Sequence, residues 1–317
     1  MQKAKKALLL IRDYFFQKTL YLVYKNLINS QAVFSNGYPI PKHSEFLANL
    51  ECFDRQCDPQ VLKNFFDRNG YLWIKDFYSK QEVYTLRDRC CSTLNLNQRS
   101  FILSPLYQYR IKKRLTILQK SPAYIDLTES KSIKELIEKV FGFEPQILAR
   151  KLIRIKLPDS PISTGAHYDY NYVRQSNSPV YTVWIPLGDI PANGGAITYL
   201  ANSKLITKEI EEEIVRKTKY LPTDKRLSAF QSIFERHGWI TKRILSLAKA
   251  YQTQWLTGDF EAGDIIIHDP YIIHASFNNS HHYRQINIST DVRFQSMSGE
   301  PDYRWRKSWH PFDELKQ

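Results

Sequence analysis

The stretch GAHYDYNYV, residues 165–173, sets His167 and Asp169 two positions apart among aromatic residues. In an extended chain the side chains at i and i+2 project to one face, so an imidazole and a carboxylate there converge on one point. Such a pair leaves a metal short of one more protein ligand. Far downstream, HDPYIIHASFNN offers His268 and His274, and either completes the set. Two imidazoles and one carboxylate, with the remaining positions open, suit non-haem Fe(II). On its own, His-x-Asp is a weak pattern and equally marks a hydrogen-bonded pair.

A second chemical signal follows His274. Arg284 opens RQINIST, in which Arg284, Ile286 and Ile288 share a strand face. A guanidinium between apolar neighbours is expensive to bury without a partner, and the partner it accepts best is a carboxylate held bidentately. Arg154, Lys156 and Arg174 lie near His167 in sequence and suit a substrate bearing carboxylate or phosphate. Tyr168, Asn171, Tyr172 and Trp184 are candidates to line the substrate pocket, although in a chain with 20 tyrosines such aromatics also build cores. Arg293, in DVRF, is expected to support the sheet or pair with an acid.

The elements that must position these groups change character along the chain. Asp58-Pro59 starts a helix that Asn69-Gly70 ends, residues 71–74 read as a short strand, and Ser79 with Glu82 forms a capping box for a second helix. Residues 131–141 read as a further helix. From Ile147 onward the pattern is β: ILARKLIRIKL, VYTVWIPLGDI, AITYLA, GDIIIHDPYIIHASF and YRQINISTDVRF. A lysine- and glutamate-rich helical insertion over 203–257 interrupts these strands. They imply a mixed α/β chain with mainly antiparallel sheet, a β-sandwich or jelly roll flanked by helices. We divide it into an N-terminal helical extension, 1–57, and one domain, 58–317.

The order of these blocks resembles the phytanoyl-CoA dioxygenase-like family of Fe(II)/2-oxoglutarate-dependent oxygenases. The likeness rests on His167-x-Asp169, His274-x-Ser276 and Arg284. It extends to VLKNFFDRNGYLWIKDFYSKQEVYTLRD, VWIPLGDIPANGGAITYLANS and FEAGDIIIHDPYIIHAS, so it covers roughly residues 58–295. It implies a double-stranded β-helix core with His167, Asp169 and His274 as iron ligands, leaving His268 as a hydrogen-bonded core histidine. It also implies that Arg284 anchors the distal carboxylate of 2-oxoglutarate, with Thr182 and Ser276 beside the same co-substrate. The chemistry implied uses Fe(II), 2-oxoglutarate and dioxygen, turning the keto acid into succinate and carbon dioxide while a substrate C–H bond is oxidised. Because relatives that halogenate have a small residue at the carboxylate position, Asp169 points to hydroxylation, desaturation or ring closure. Two departures stand out: LANSK replaces the family's Pro-Gly-Ser-His, and the loop from His274 to Arg284 is one residue shorter than in some members.

Composition bounds the alternatives. A chain of 317 residues, 43% apolar and 14% aromatic, supplies a large buried core. Four cysteines match neither a zinc knuckle nor a secreted disulfide framework, which points to a reducing cytoplasmic setting. The net charge of +13 admits a nucleic-acid-binding reading, but the basic residues are dispersed and form no nucleic-acid motif. A small-molecule substrate is expected, with no nucleic-acid partner. Residues 1–30 carry six basic side chains against one acid and an apolar stripe at helical spacing. Docking on its own domain is preferred for that stripe over contact with a membrane surface.

Overall fold

The computed structural model describes residues 18–19, 21–23, 31–94, 113–222, 234, 238–280 and 285–308. Most of the N-terminal basic stretch therefore lies outside the described residues, as does Arg284. Among the described residues no helix is long and apolar enough to cross a membrane.

Two sheets face one another across a shared interior. The larger runs β4 (Cys52–Asp54), β5 (Tyr71–Lys75), β11 (Ile265–His268), β8 (Tyr181–Pro186) and β13 (Asn287–Ser296). On the outer side of β13 it ends with β6 (Pro145–Ile147) and β7 (Leu152–Lys156). The smaller runs β12 (His274–Ser276), β9 (Ile197–Leu200), β10 (Trp255–Thr257) and β3 (Leu47–Asn49). Pairing is antiparallel except at β3–β10 and β4–β5. This is the mixed α/β, jelly-roll arrangement expected from the run of short strands.

Helices cover the outer face of the larger sheet. Helix α1 (Pro59–Asn69) starts where Asp58 accepts hydrogen bonds from the backbone of Gln60 and Val61, and it ends at Gly70 with φ of +77°. Helix α2 (Lys80–Leu94) opens on the capping box, with Ser79 N–H donating to Glu82 at 3.0 Å. Helix α4 (Lys131–Phe141) follows the short α3 (Pro122–Thr128). Leu62, Phe66, Val83, Leu86, Ile133 and Ile137 of these helices pack against Val183, Ile265, Ile288, Val292 and Phe294 of the sheet. Burying that apolar surface is what holds the helices on the sheet.

Two expected boundaries are overturned. Instead of a helical extension, residues 32–54 form strands. The β1–β2 hairpin (Ala32–Ser35, Tyr38–Pro41) closes on Asn36-Gly37, both with positive φ, while β3 and β4 extend one sheet each. The segment 203–257 holds helices α6 (Ser203–Thr218) and α7 (Ile244–Ala250) but ends in β10, which pairs with β9 and β3 as part of the smaller sheet.

Candidate active site

His167 and His274 meet because their backbones pair. His167 N–H donates to the carbonyl of His274 at 3.0 Å, and His274 N–H returns the bond at 2.8 Å. Their ring centroids stand 4.1 Å apart. Each ring is turned by the same local device: Nδ1 of His167 lies 2.9 Å from the Gly165 carbonyl, and Nδ1 of His274 lies 3.2 Å from that of Ile272. A carbonyl only accepts, so Nδ1 carries the proton in both rings and Nε2 keeps its lone pair for a metal. Sequence reading expected i, i+2 alternation along a strand to bring Asp169 beside His167. The chain instead leaves extended geometry after His167, and Asp169 sits in helical conformation just before α5 (Tyr170–Val173). A turn, rather than the pleat, makes the imidazole and carboxylate converge.

The two oxygens of Asp169 are differently employed. Oδ1 faces Nε2 of His167 and Nε2 of His274, at 3.8 Å from each. Oδ2 accepts from the Thr182 hydroxyl at 2.6 Å and from Arg293 Nη2 at 3.0 Å, with His268 Nε2 3.5 Å away. One oxygen is thus presented to the histidines while the other is held back by donors, which favours binding a metal through one oxygen and keeps other coordination positions open. The donor atoms of His167, Asp169 and His274 all lie within 4.8 Å of one another, and all three residues are buried. Two nitrogens and one carboxylate oxygen in that compass fit a non-haem iron with open sites.

The protonation states suit the same role. Burial pushes the His167 imidazolium down to about 4, and burial with the neighbouring His167 and His268 rings holds His274 well below its usual range. Burial by itself would raise the Asp169 carboxyl, but the Arg293 guanidinium, His268 and His274 outweigh it and hold the group well below the usual carboxylate range. At neutral pH the site therefore offers two neutral imidazoles and one carboxylate.

Next to these groups lies a cavity whose wall includes all three, together with His268, Trp184, Arg154, Lys156 and Ser276. His268 bonds through Nδ1 to the Tyr199 hydroxyl at 3.0 Å, so it is the hydrogen-bonded histidine expected, although it stands beside the site. Ser276 Oγ accepts from Thr164 N–H at 3.0 Å. Thr182 spends its hydroxyl proton on Asp169. Arg293 pairs with an acid, and that acid is Asp169 itself.

The expected substrate contacts divide. Trp184, Arg154 and Lys156 line the cavity. Tyr172 sets its ring edge against His167, with centroids 5.8 Å apart. Tyr168 and Asn171 turn elsewhere: the Tyr168 ring packs in the core with Ala166 and Phe277 and its hydroxyl bonds Glu211, which Arg174 also pairs, while Asn171 reaches toward the Gly238 carbonyl. Tyr168, between His167 and Asp169, is carried by that turn into the core, away from both. Arg174 is accordingly an ion-pair residue. Thr164, Gly195, Ser289 and Asp291 also line the cavity, and sequence reading missed them. The signal for the last two was present in β13, whose alternate residues Asn287, Ser289, Asp291, Arg293 and Gln295 are polar.

A family model described as phytanoyl-CoA dioxygenase matches residues 66–286. A search of curated protein sequences gave no match. Among solved structures, the epimerase SnoN in complex with Fe3+, alpha ketoglutarate and nogalamycin RO is similar with TM-score 0.52 and 17% identity, over 77% of this chain and 85% of that one. The non-heme alpha ketoglutarate dependent carbocyclase SnoK from nogalamycin biosynthesis is similar with TM-score 0.51 and 17% identity, over 76% and 85% of the two chains. The non-heme monooxygenase ThoJ gives TM-score 0.50 and 14% identity, over 76% and 79%. At such identities the likeness carries the fold, and the family rests on the matched model. Because that match spans most of the jelly roll and its order of motifs, the chain belongs to the phytanoyl-CoA dioxygenase family, whose members are non-haem enzymes dependent on iron and 2-oxoglutarate.

Proposed function

We propose that this enzyme oxidises a C–H bond of a small metabolite in natural-product biosynthesis, with His167, Asp169 and His274 as the iron ligands. The observation that carries the reading is the convergence of two Nε2 atoms and one carboxylate oxygen at the wall of a cavity, with the second oxygen of Asp169 tied back. Iron with 2-oxoglutarate and dioxygen supplies the oxidising equivalents there, the keto acid leaving as succinate and carbon dioxide. The backbone carbonyls of Gly165 and Ile272 fix the two rings, and Thr182 with Arg293 fixes the carboxylate. Trp184 and Ile197 supply apolar wall against which a substrate carbon skeleton packs. The similarity to SnoN and SnoK, both from nogalamycin biosynthesis by their descriptions, supports a natural-product substrate. The cavity is a small recess lined by strands of both sheets, which suits a small molecule better than a nucleic acid. All four cysteines stand free, in keeping with a cytoplasmic enzyme.

The test is to incubate the purified protein with Fe(II), 2-oxoglutarate, oxygen and a panel of metabolites and to measure succinate. We expect release that a matching substrate accelerates, and we expect His274→Ala to abolish it. Equal release by the variant sinks the ligand assignment.

A further inference from the structure

Among the described residues, the charges around the cavity pair off with one exception. Arg154 answers Asp291, with Nε at 2.8 Å and Nη2 at 2.6 Å from Oδ2, and Arg293 answers Asp169. Lys156 has no carboxylate partner among the described residues. Its Nζ donates to the carbonyls of Gly195 at 2.7 Å and Phe277 at 3.0 Å. An ammonium has three donors, so two carbonyls leave one N–H and the full charge to be met from the cavity. Lys156 is half-buried, and a charge drawn out of water without a counter-ion is costly; chains keep one where a ligand supplies its partner.

Its position fits one end of a dicarboxylate. On β12 and β9, His274 lies opposite Tyr199 and Ser276 opposite Ile197. The carbonyls that hold Lys156 belong to Phe277, one position beyond Ser276, and Gly195, two positions beyond Ile197. Two strand residues advance roughly 7 Å. A five-carbon keto acid, with four C–C bonds of about 1.5 Å each, reaches from the histidine layer toward that point. Ser276 and Ser289 line the same cavity.

The backbone is shaped around the lysine. Gly195 has φ of +95°, and a Cβ there would lie 2.6 Å from Lys156 Cδ. The second glycine of the Asn-Gly-Gly turn therefore lets the lysine stem pass. On β13, Arg293 is committed to Asp169, and the other inward residues, Asn287, Ser289, Asp291 and Gln295, carry no positive charge. Burial and the nearby Arg154 guanidinium press Lys156 well below its usual range, a cost that an arriving carboxylate reverses.

We propose that Lys156 is a carboxylate subsite of this cavity and receives the distal carboxylate of the keto acid, in place of a guanidinium leading into β13. The inference rests on the oxygenase reading above.

The experiment loads the protein with Ni(II) and compares, by calorimetry, binding of 2-oxoglutarate with that of 2-oxopentanoate, which has the same chain length but no distal carboxylate. The native protein is expected to prefer 2-oxoglutarate by on the order of tenfold or more, the scale of one charge-assisted hydrogen bond. Lys156→Gln keeps N–H donors for the two carbonyls and removes the charge. It should bring the preference close to unity while leaving 2-oxopentanoate and Ni(II) affinity unchanged, and Lys156→Arg should restore part of it. A Lys156→Gln protein that keeps the native preference overturns the proposal, the more directly if Arg284→Gln loses it. A native protein that binds Ni(II) but neither keto acid overturns the oxygenase reading and this subsite with it.

Discussion

The two faces of β13 are equally buried and could hardly be more different. Outward, Ile288, Val292 and Phe294 sit in the apolar cluster beneath the helices. Inward, Ser289, Asp291 and Arg293 are each less than a tenth exposed, yet each is polar and faces the site or its carboxylate. Burial alone does not separate core from site. What separates them is that every inward charge has a specific partner, or a reason to await one, whereas the outward side chains are interchangeable hydrophobes of fitting volume. The outer face holds the sheet; the inner face uses the rigidity that results.

The sharpest way to break this division is Phe294→Ala. It should cost about 3–5 kcal/mol of stability through lost burial and an unfilled cavity, read by urea denaturation, with the metal affinity of the folded protein unchanged. A large fall in metal affinity at full stability would mean that the faces are not separable. From the inner side, Arg293→Met removes the guanidinium that restrains Oδ2 of Asp169. Metal affinity should fall roughly 10–100-fold, the usual effect of losing a partner behind a ligand, and titration with Mn(II) checks it. An unchanged affinity would leave Thr182 as the sufficient restraint.

A smaller effect is expected from pH. His167 is depressed to about 4 in the folded chain, against roughly 6.5 when unfolded. The unfolded chain thus takes up a proton first, so this histidine's contribution to stability is fully present above about 6.5 and is lost as pH falls toward 4. Denaturant midpoints of the metal-free protein should drop across that window, and the drop should shrink in His167→Gln.

The sequence exposed some of this plainly. The capped helices over 59–69 and 80–94, the strands carrying Trp184 and His274, and the residue types for a metal site follow from periodicity, caps and ligand chemistry. Other parts were hidden for identifiable reasons. Asn36-Gly37 signals a two-residue hairpin, but the short strands around it contain Pro39 and Pro41, which disguise them. Strands β3, β4 and β10 have three residues each, too few to display a period. Asp169 was read on strand alternation, although a turn places it. The commitment of Thr182 and Arg293 to Asp169 depends on β8 and β13 lying side by side, with Thr182 opposite Arg293, a pairing that no local pattern announces. Lys156 is legible as a charge near the site, but its lack of a counter-ion among the described residues becomes visible only once Arg154 and Asp291 are seen together.

The most direct measurement is calorimetric titration of the metal-free protein with Mn(II), comparing the native chain with His274→Ala and His268→Gln. One site per chain is expected in the native protein and in His268→Gln, with binding lost in His274→Ala. Binding that survives in His274→Ala and vanishes in His268→Gln would contradict the arrangement of ligands described above.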